Sequence, residues 1–219
     1  MRDQLKEPFY TLGEEITHAV THGLGLLLSI AGLAILVVAA SVRGDAWHVV
    51  GCAVFGATLV LLYAASTLYH GIHSPRAKRV LRKFDHAAIF LLIAGSYTPF
   101  TLVSLRGGWG WTLLAVVWGL ALLGIALQVT IPSKARRLSV PIYLAMGWLV
   151  VVAIEPLLRS VHPEGLLLLF LGGMAYTLGV VFFAWRRLPY NHAVWHVFVL
   201  AGSACHFSCV LGYVIPPAV

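Results

Sequence analysis

Three imidazoles and one carboxyl, those of His70, His192, His196 and Asp85, stand at the ends of hydrophobic segments that lie far apart in the chain. Ionisable groups are costly near hydrocarbon, so their convergence would need a reason. His192 and His196 are four residues apart, which on a helix puts both rings on one face, able to share an ion. His70, from another segment, would add a third nitrogen. Three protein ligands with a fourth position left to water is the arrangement of a catalytic zinc, whereas a structural site fills all four positions. Asp85 could hold that water or orient a ligand from behind. Ser66 precedes His70 by one helical turn on the same face, within reach of the water, of Asp85 or of a substrate carbonyl. The plainer reading is that histidines at helix ends are interfacial or hydrogen-bonded, and ten histidines yield one such pair easily. Spacing alone leaves both readings open.

The elements that must position these groups are membrane helices. The 219 residues are 60% hydrophobic and 11% charged, far below the roughly 25% charge of soluble domains. The fold class expected is all-α, an integral membrane bundle of seven transmembrane helices forming a single domain over 1–219. Seven apolar runs are each about the 20 residues needed to span hydrocarbon: 22–42, 47–69, 86–105, 109–131, 138–158, 165–185 and 192–214. Pro- and Gly-containing breaks such as Ser74-Pro75, Arg106-Gly107-Gly108 and Pro189-Tyr190-Asn191 separate them. The runs are continuously apolar and too long for the alternation of a β-barrel. The opening residues, Met1 to Glu15, are polar and mixed in charge and do not read as a secretory signal.

Lys and Arg set the expected direction. Arg2, Lys6, Arg76, Lys78, Arg79, Arg82, Lys83, Lys134, Arg136, Arg137, Arg186 and Arg187 all fall on the N-terminal side; only Arg43, Arg106 and Arg159 fall on the other. The positive-inside rule then expects a cytoplasmic N-terminus, an extracytoplasmic C-terminus and a cell membrane location. It also accounts for the net charge of +7 without a nucleic-acid partner. With this topology the end of the second run (His70), the start of the third (Asp85) and the start of the seventh (His192, His196) share one depth near the inner leaflet.

Other polar residues are read more conservatively. Cys52, Cys205 and Cys209 lie in apolar runs and form neither a disulfide framework nor a cysteine zinc site. Small residues at Gly25/Ser29 and Ala53/Ala57 offer close helix approach. Glu15, His18 and His22 share a helix face, either as supports or gates of the site or as a solvated helix start. His86 points away from Asp85. His206 lies roughly 15 Å along the axis from His196, too far for the same ion, and is expected to hydrogen-bond a neighbouring helix. Glu155 and Arg159 can pair with each other.

The motifs resemble a known family. Ser66-Thr-Leu-Tyr-His70 is similar to a Ser-x3-His motif, Asp85 follows on the next segment, and His192-Ala-Val-Trp-His196 is similar to a His-x3-His motif opening the last helix. Glu15-Ile-Thr-His18-Ala-Val-Thr-His22-Gly23 resembles an N-terminal signature. Together they resemble, over essentially the whole chain, the bacterial haemolysin III family of the progestin and adipoQ receptor superfamily. The resemblance implies a Zn2+ held by His70, His192 and His196, a metal-bound water hydrogen-bonded by Asp85, and a supporting Ser66. His18 departs from the pattern, standing where many eukaryotic members have asparagine. The superfamily includes alkaline ceramidases and proposed membrane hydrolases, and the bacterial branch has been linked to membrane lipid homeostasis.

The expected function is therefore a zinc-dependent hydrolase of amide or ester bonds, with membrane lipids as substrates, acting at the cytoplasmic leaflet. Asp85 would be its general base, and Ser66 would steady the oxyanion or Asp85. The alternative is a non-enzymatic membrane regulator or pore-forming cytolysin with a structural zinc. Oligomeric state is left open.

Overall fold

A computed structural model describes residues 10–217. Among the described residues seven helices are long and apolar enough to cross a membrane: α1 (Leu12–Arg43), α2 (Ala46–Gly71), α3 (Pro75–Ser104), α4 (Gly108–Thr130), α5 (Arg137–Ser160), α6 (Pro163–Ala184) and α7 (Asn191–Val214). Among the described residues there is no strand. Such helices satisfy their backbone polar groups internally, as hydrocarbon demands. The bundle exposes apolar side chains on its outside, among them Leu27, Val42 and Leu123.

Two helices begin well before their apolar runs. α1 starts at a capping box: Thr11 accepts from the Glu14 N–H while the Glu14 carboxylate accepts from the Thr11 N–H. Glu15, His18 and His22 are thus inside the helix rather than ahead of it. α3 starts at Pro75, whose missing N–H costs nothing in a first turn. The basic stretch from Arg76 to Lys83, expected as a loop, is therefore helical, and Asp85 sits within α3 rather than opening it.

α5 is not uniform. An α-helical stretch Pro132–Gly147 passes into a 3-10 turn, Leu149–Ala153, and then a short α-helix, Ile154–Ser160. Tyr97 of α3 repairs the break. Its hydroxyl lies 2.8 Å from the carbonyls of Met146 and Gly147 and accepts the Val150 N–H at 2.9 Å. A similar irregularity, a π turn at Phe100–Ser104, follows Pro99 in α3.

α1 packs closely on α2, α2 on α3 and α6 on α7, and small residues permit it. The buried face of α1 runs His18, His22, Gly25, Ser29, Gly32, Leu36, Ala40. A Cβ at Gly25 would meet the Tyr63 ring at 2.7 Å, and one at Gly95 would meet Thr58 Oγ1 at 2.1 Å. Gly25/Ser29 is thus a contact face, whereas on α2 the buried face is Gly51, Cys52, Phe55 and Gly56, with Ala53 and Ala57 beside it. α5 and α6 contact each other little. Trp118 and Trp148 lie inward, donating to Thr98 Oγ1 at 3.2 Å and Thr177 Oγ1 at 3.0 Å. The three cysteines are free thiols.

Candidate metal centre

The N-terminal ends of α1, α3 and α7 and the C-terminal end of α2 meet at one end of the bundle. His70, the last buried residue of α2, is 1% exposed, as is His196 of α7. His192 lies one turn earlier on α7 and is partly buried. Ligand atoms of His70, His192 and His196 all lie within 4.8 Å of one another. One zinc with Zn–N bonds of ~2.1 Å would hold them at roughly 3.4 Å, so an inward turn of each ring by under ~1 Å completes the set. His70 Nε2 and His192 Nδ1 are buried without a hydrogen-bond partner. Buried polar atoms are rarely left so, and lone pairs turned toward a shared space fit a cation.

Which nitrogen faces the space is fixed from behind. His70 Nδ1 lies 2.8 Å from Glu15 Oε2. Against a carboxylate, Nδ1 must carry the proton, which leaves Nε2 with its lone pair. Thr21 Oγ1 donates to the carbonyls of Thr17 and His18, at 2.8 and 3.0 Å. Its hydrogen is thereby committed, so it accepts from His196 Nδ1, 3.1 Å away. Both rings therefore take the tautomer that supports a metal through the outer shell. Lys78 of α3 closes the arrangement with an ion pair to the second Glu15 oxygen. Lys78 read in sequence as a topology signal only; here it also holds a site residue.

Asp85 and Ser66 are both buried and line one large cavity with His192 and His196. The Ser66 hydroxyl is directed at the Asp85 carboxyl. The cavity, about 730 Å³, is mainly apolar and extends from the histidines between α3, α5, α6 and α7. Val151, Ile154 and Leu158 of α5 and Leu167 and Phe170 of α6 line it and are also exposed on the outside of the bundle. The cavity thus reaches the lipid-facing surface where α5 and α6 separate.

All five sequence-predicted site residues are brought to this end, joined by Glu15 and His18 of the α1 face and by two residues the sequence did not offer, Thr21 and Tyr10. Glu15 supports His70. Thr21 supports His196. His18, fully buried, packs against His70, His192 and His196. Tyr10 covers the cluster, its ring 4.7 Å from His18 and 5.4 Å from His192. Burial, then the Glu15 and Glu14 carboxylates, push the Tyr10 hydroxyl up to about 12, so this lid is neutral. The shared face of Glu15 and His18 was visible in sequence; nothing there pointed to Tyr10 or Thr21. His22 stacks on His196, with ring centres 3.4 Å apart. His86 lines the cavity outside the ring cluster. His206 bonds the Gly202 carbonyl of its own helix at 2.9 Å and stacks on Tyr176, so the expected inter-helix hydrogen bond is instead a ring contact.

Residues 10–207 match the model of the haemolysin-III-related family. The chain belongs to the haemolysin III family. It is 50% identical over 205 residues to hemolysin-3 of Bacillus cereus, covering 94% of each chain. It is 47% identical over 206 residues to a hemolysin-3 homolog of Bacillus subtilis (strain 168), covering 94% of this chain and 97% of that one. The human monocyte to macrophage differentiation factor is 27% identical over 212 residues, 93% of this chain and 85% of the human one. Family membership and seven apolar helices make this a multi-pass cell membrane protein.

Proposed function

We propose that the protein is a zinc-dependent hydrolase of lipid amide or ester bonds, with its site at the cytoplasmic leaflet. The observation that carries this reading is the junction of a histidine triad, backed by Glu15 and Thr21, with an apolar cavity open toward lipid. A bound zinc would supply an acidified water and a polarised carbonyl. Asp85, which lines the same cavity, would serve as the general base and return the proton to the leaving group. Ser66 holds Asp85 in place and can donate to the developing oxyanion. The apolar walls take an acyl chain and keep bulk water away, and the gap between α5 and α6 admits the chain sideways from the bilayer. The excess of Lys and Arg at this end supports the cytoplasmic orientation.

The test is fatty-acid release from a panel of ceramides and phospholipids by purified, zinc-loaded protein. Asp85→Asn should cut turnover by about 10²–10⁴-fold, the range for a lost general base, with metal content unchanged. Absence of release from every lipid class would sink the reading.

One observation favours a second reading. The triad joins α2 to α7, so a metal there would also staple two helices. In that case the protein is a lipid regulator or cytolysin, and Asp85→Asn keeps its cellular phenotype for as long as zinc stays bound.

A further inference from the structure

The geometry points to a second polar subsite in the cavity, Tyr176 with His206, which reads a hydroxyl partway along the acyl chain. This rests on the reading of the cavity as an acyl-chain site and deepens it by naming the class of chain. The two rings come from α6 and α7 and stack with their centres 5.4 Å apart. Both line the cavity, which is otherwise mainly apolar. Each ring lies over a glycine of the other helix. A Cβ at Gly172 would meet His206 Cε1 at 2.7 Å, and one at Gly202 would meet the Tyr176 ring at 2.8 Å. The close approach of α6 and α7 is thus made around these two side chains.

Hydrogen-bond accounting leaves one acceptor and one donor open. His206 Nδ1 lies 2.9 Å from the Gly202 carbonyl, which can only accept, so Nδ1 carries the proton and Nε2 keeps its lone pair. Among the described residues no group donates to that Nε2. Tyr63 donates to Ser203 Oγ at 2.8 Å, and Ser203 Oγ lies 3.0 Å from the Tyr176 hydroxyl. Three hydroxyls joined by two hydrogen bonds have one proton to spare. Ser203 accepts from Tyr63 and passes its own proton to Tyr176, so the spare one is on Tyr176, the member that lines the cavity. By contrast, the nearby Trp148 Nε1 and Thr177 Oγ1 are paired with each other at 3.0 Å. A free acceptor beside a free donor matches an alcohol, which offers both.

The position sets where that alcohol sits. His206 follows His196 on the same α-helix, ~15 Å along the axis. An extended chain spans ~3.6 Å for every three bonds, so this distance is about twelve bonds. An unsubstituted chain lying here displaces water from both groups and leaves them unpaired, a penalty that a hydroxylated chain avoids. The substrate class is therefore a lipid whose acyl chain carries a hydroxyl near its middle.

The test is displacement of a fluorescent fatty-acid probe from the purified, zinc-loaded full-length protein by 12-hydroxystearate and by stearate. The hydroxylated acid should bind about tenfold tighter, the factor of one to two net hydrogen bonds. Tyr176→Phe and His206→Phe keep stacked rings while removing the donor and the acceptor in turn. Each should cut the preference to about threefold or less, and the double variant should abolish it, with stearate affinity and zinc content unchanged. Equal binding of the two acids by wild type, or a preference that survives in the double variant, overturns the subsite and leaves the acyl cavity standing. A protein that binds neither acid removes the acyl-chain reading itself. A preference for the hydroxylated acid without turnover of any lipid supports the subsite and removes only the hydrolase. The wild-type comparison decides the matter where a variant fails to fold.

Discussion

Among the described residues a histidine nitrogen meets a carboxylate at hydrogen-bond distance at two opposite ends of the bundle, and only one of these pairs joins a candidate metal site. At the N-terminal end, His70 Nδ1 lies 2.8 Å from a Glu15 oxygen; at the opposite end, His48 Nδ1 lies 2.7 Å from an Asp45 oxygen. The distances are nearly equal. The surroundings are not: the side chains of the first pair are 0% and 14% exposed, those of the second 14% and 49%. The outer pair is local, a carboxylate capping α2 and a histidine one turn along the same helix. The inner pair joins α1 to the end of α2 and leaves a buried, unpartnered Nε2 among three other imidazoles. A histidine–carboxylate pair is therefore not evidence of a metal centre. What makes one is the company of the second nitrogen.

The comparison breaks most visibly under alanine. His70→Ala should lower zinc affinity by more than about 100-fold, beyond the range for loss of an outer-shell partner, while His48→Ala leaves it unchanged. Metal content after dialysis against a graded chelator series measures both. Equal losses would mean that zinc binds at neither pair specifically. A finer cut removes the supports and keeps the ligands. Glu15→Gln should cost about 10–100-fold in affinity, and Thr21→Val about tenfold, since the first removes a charged partner and the second a neutral one. If Glu15→Gln binds zinc as wild type does, the carboxylate serves Lys78 and the helix start only.

How much of this was legible in the chain depends on the range of the signal. The seven spans follow from continuous apolar runs, which are local. Their starts were misplaced where a helix continues through polar residues: Thr11 with Glu14 forms a capping box and Pro75 takes a first-turn position, both short-range signals that hydropathy overlooks. The candidate ligands could be brought together from the sequence because a fixed i,i+4 spacing and a shared membrane side survive without knowledge of packing. Glu15 and His18 were half legible, as a common face whose orientation only the pairing of α1 with α2 and α7 decides. Thr21 could not be read, since it supports His196 across 175 positions of chain. Nor could Tyr10, which contributes only by folding over the rings. The cavity was also invisible, because it arises from the separation of α5 and α6, a relation between segments that each look like an ordinary apolar helix.

The smallest expected effect sharpens the outer copy of the pair. At 2.7 Å from Asp45 Oδ1, His48 Nδ1 must carry the proton, so it cannot also accept from the Asp45 N–H, which lies 3.0 Å away. The hydrogen bond from His48, then those from the backbone N–H groups of His48 and Trp47, and last the Arg106 guanidinium hold the Asp45 carboxyl below the usual carboxylate range. A carboxyl with a lower pKa folded than unfolded contributes stability above the unfolded value, roughly 3.9, and loses it as pH falls through the folded value. Asp45→Asn should therefore lower the thermal midpoint at neutral pH by no more than about 2 °C, as the pair is exposed and solvent-screened. The gap from wild type should close below pH 4, with zinc content identical throughout. A gap that persists into acid would assign the effect of Asp45 to its shape as a cap. A change in zinc content would mean that the two ends of the bundle are coupled, and that the outer pair is more than a helix terminus.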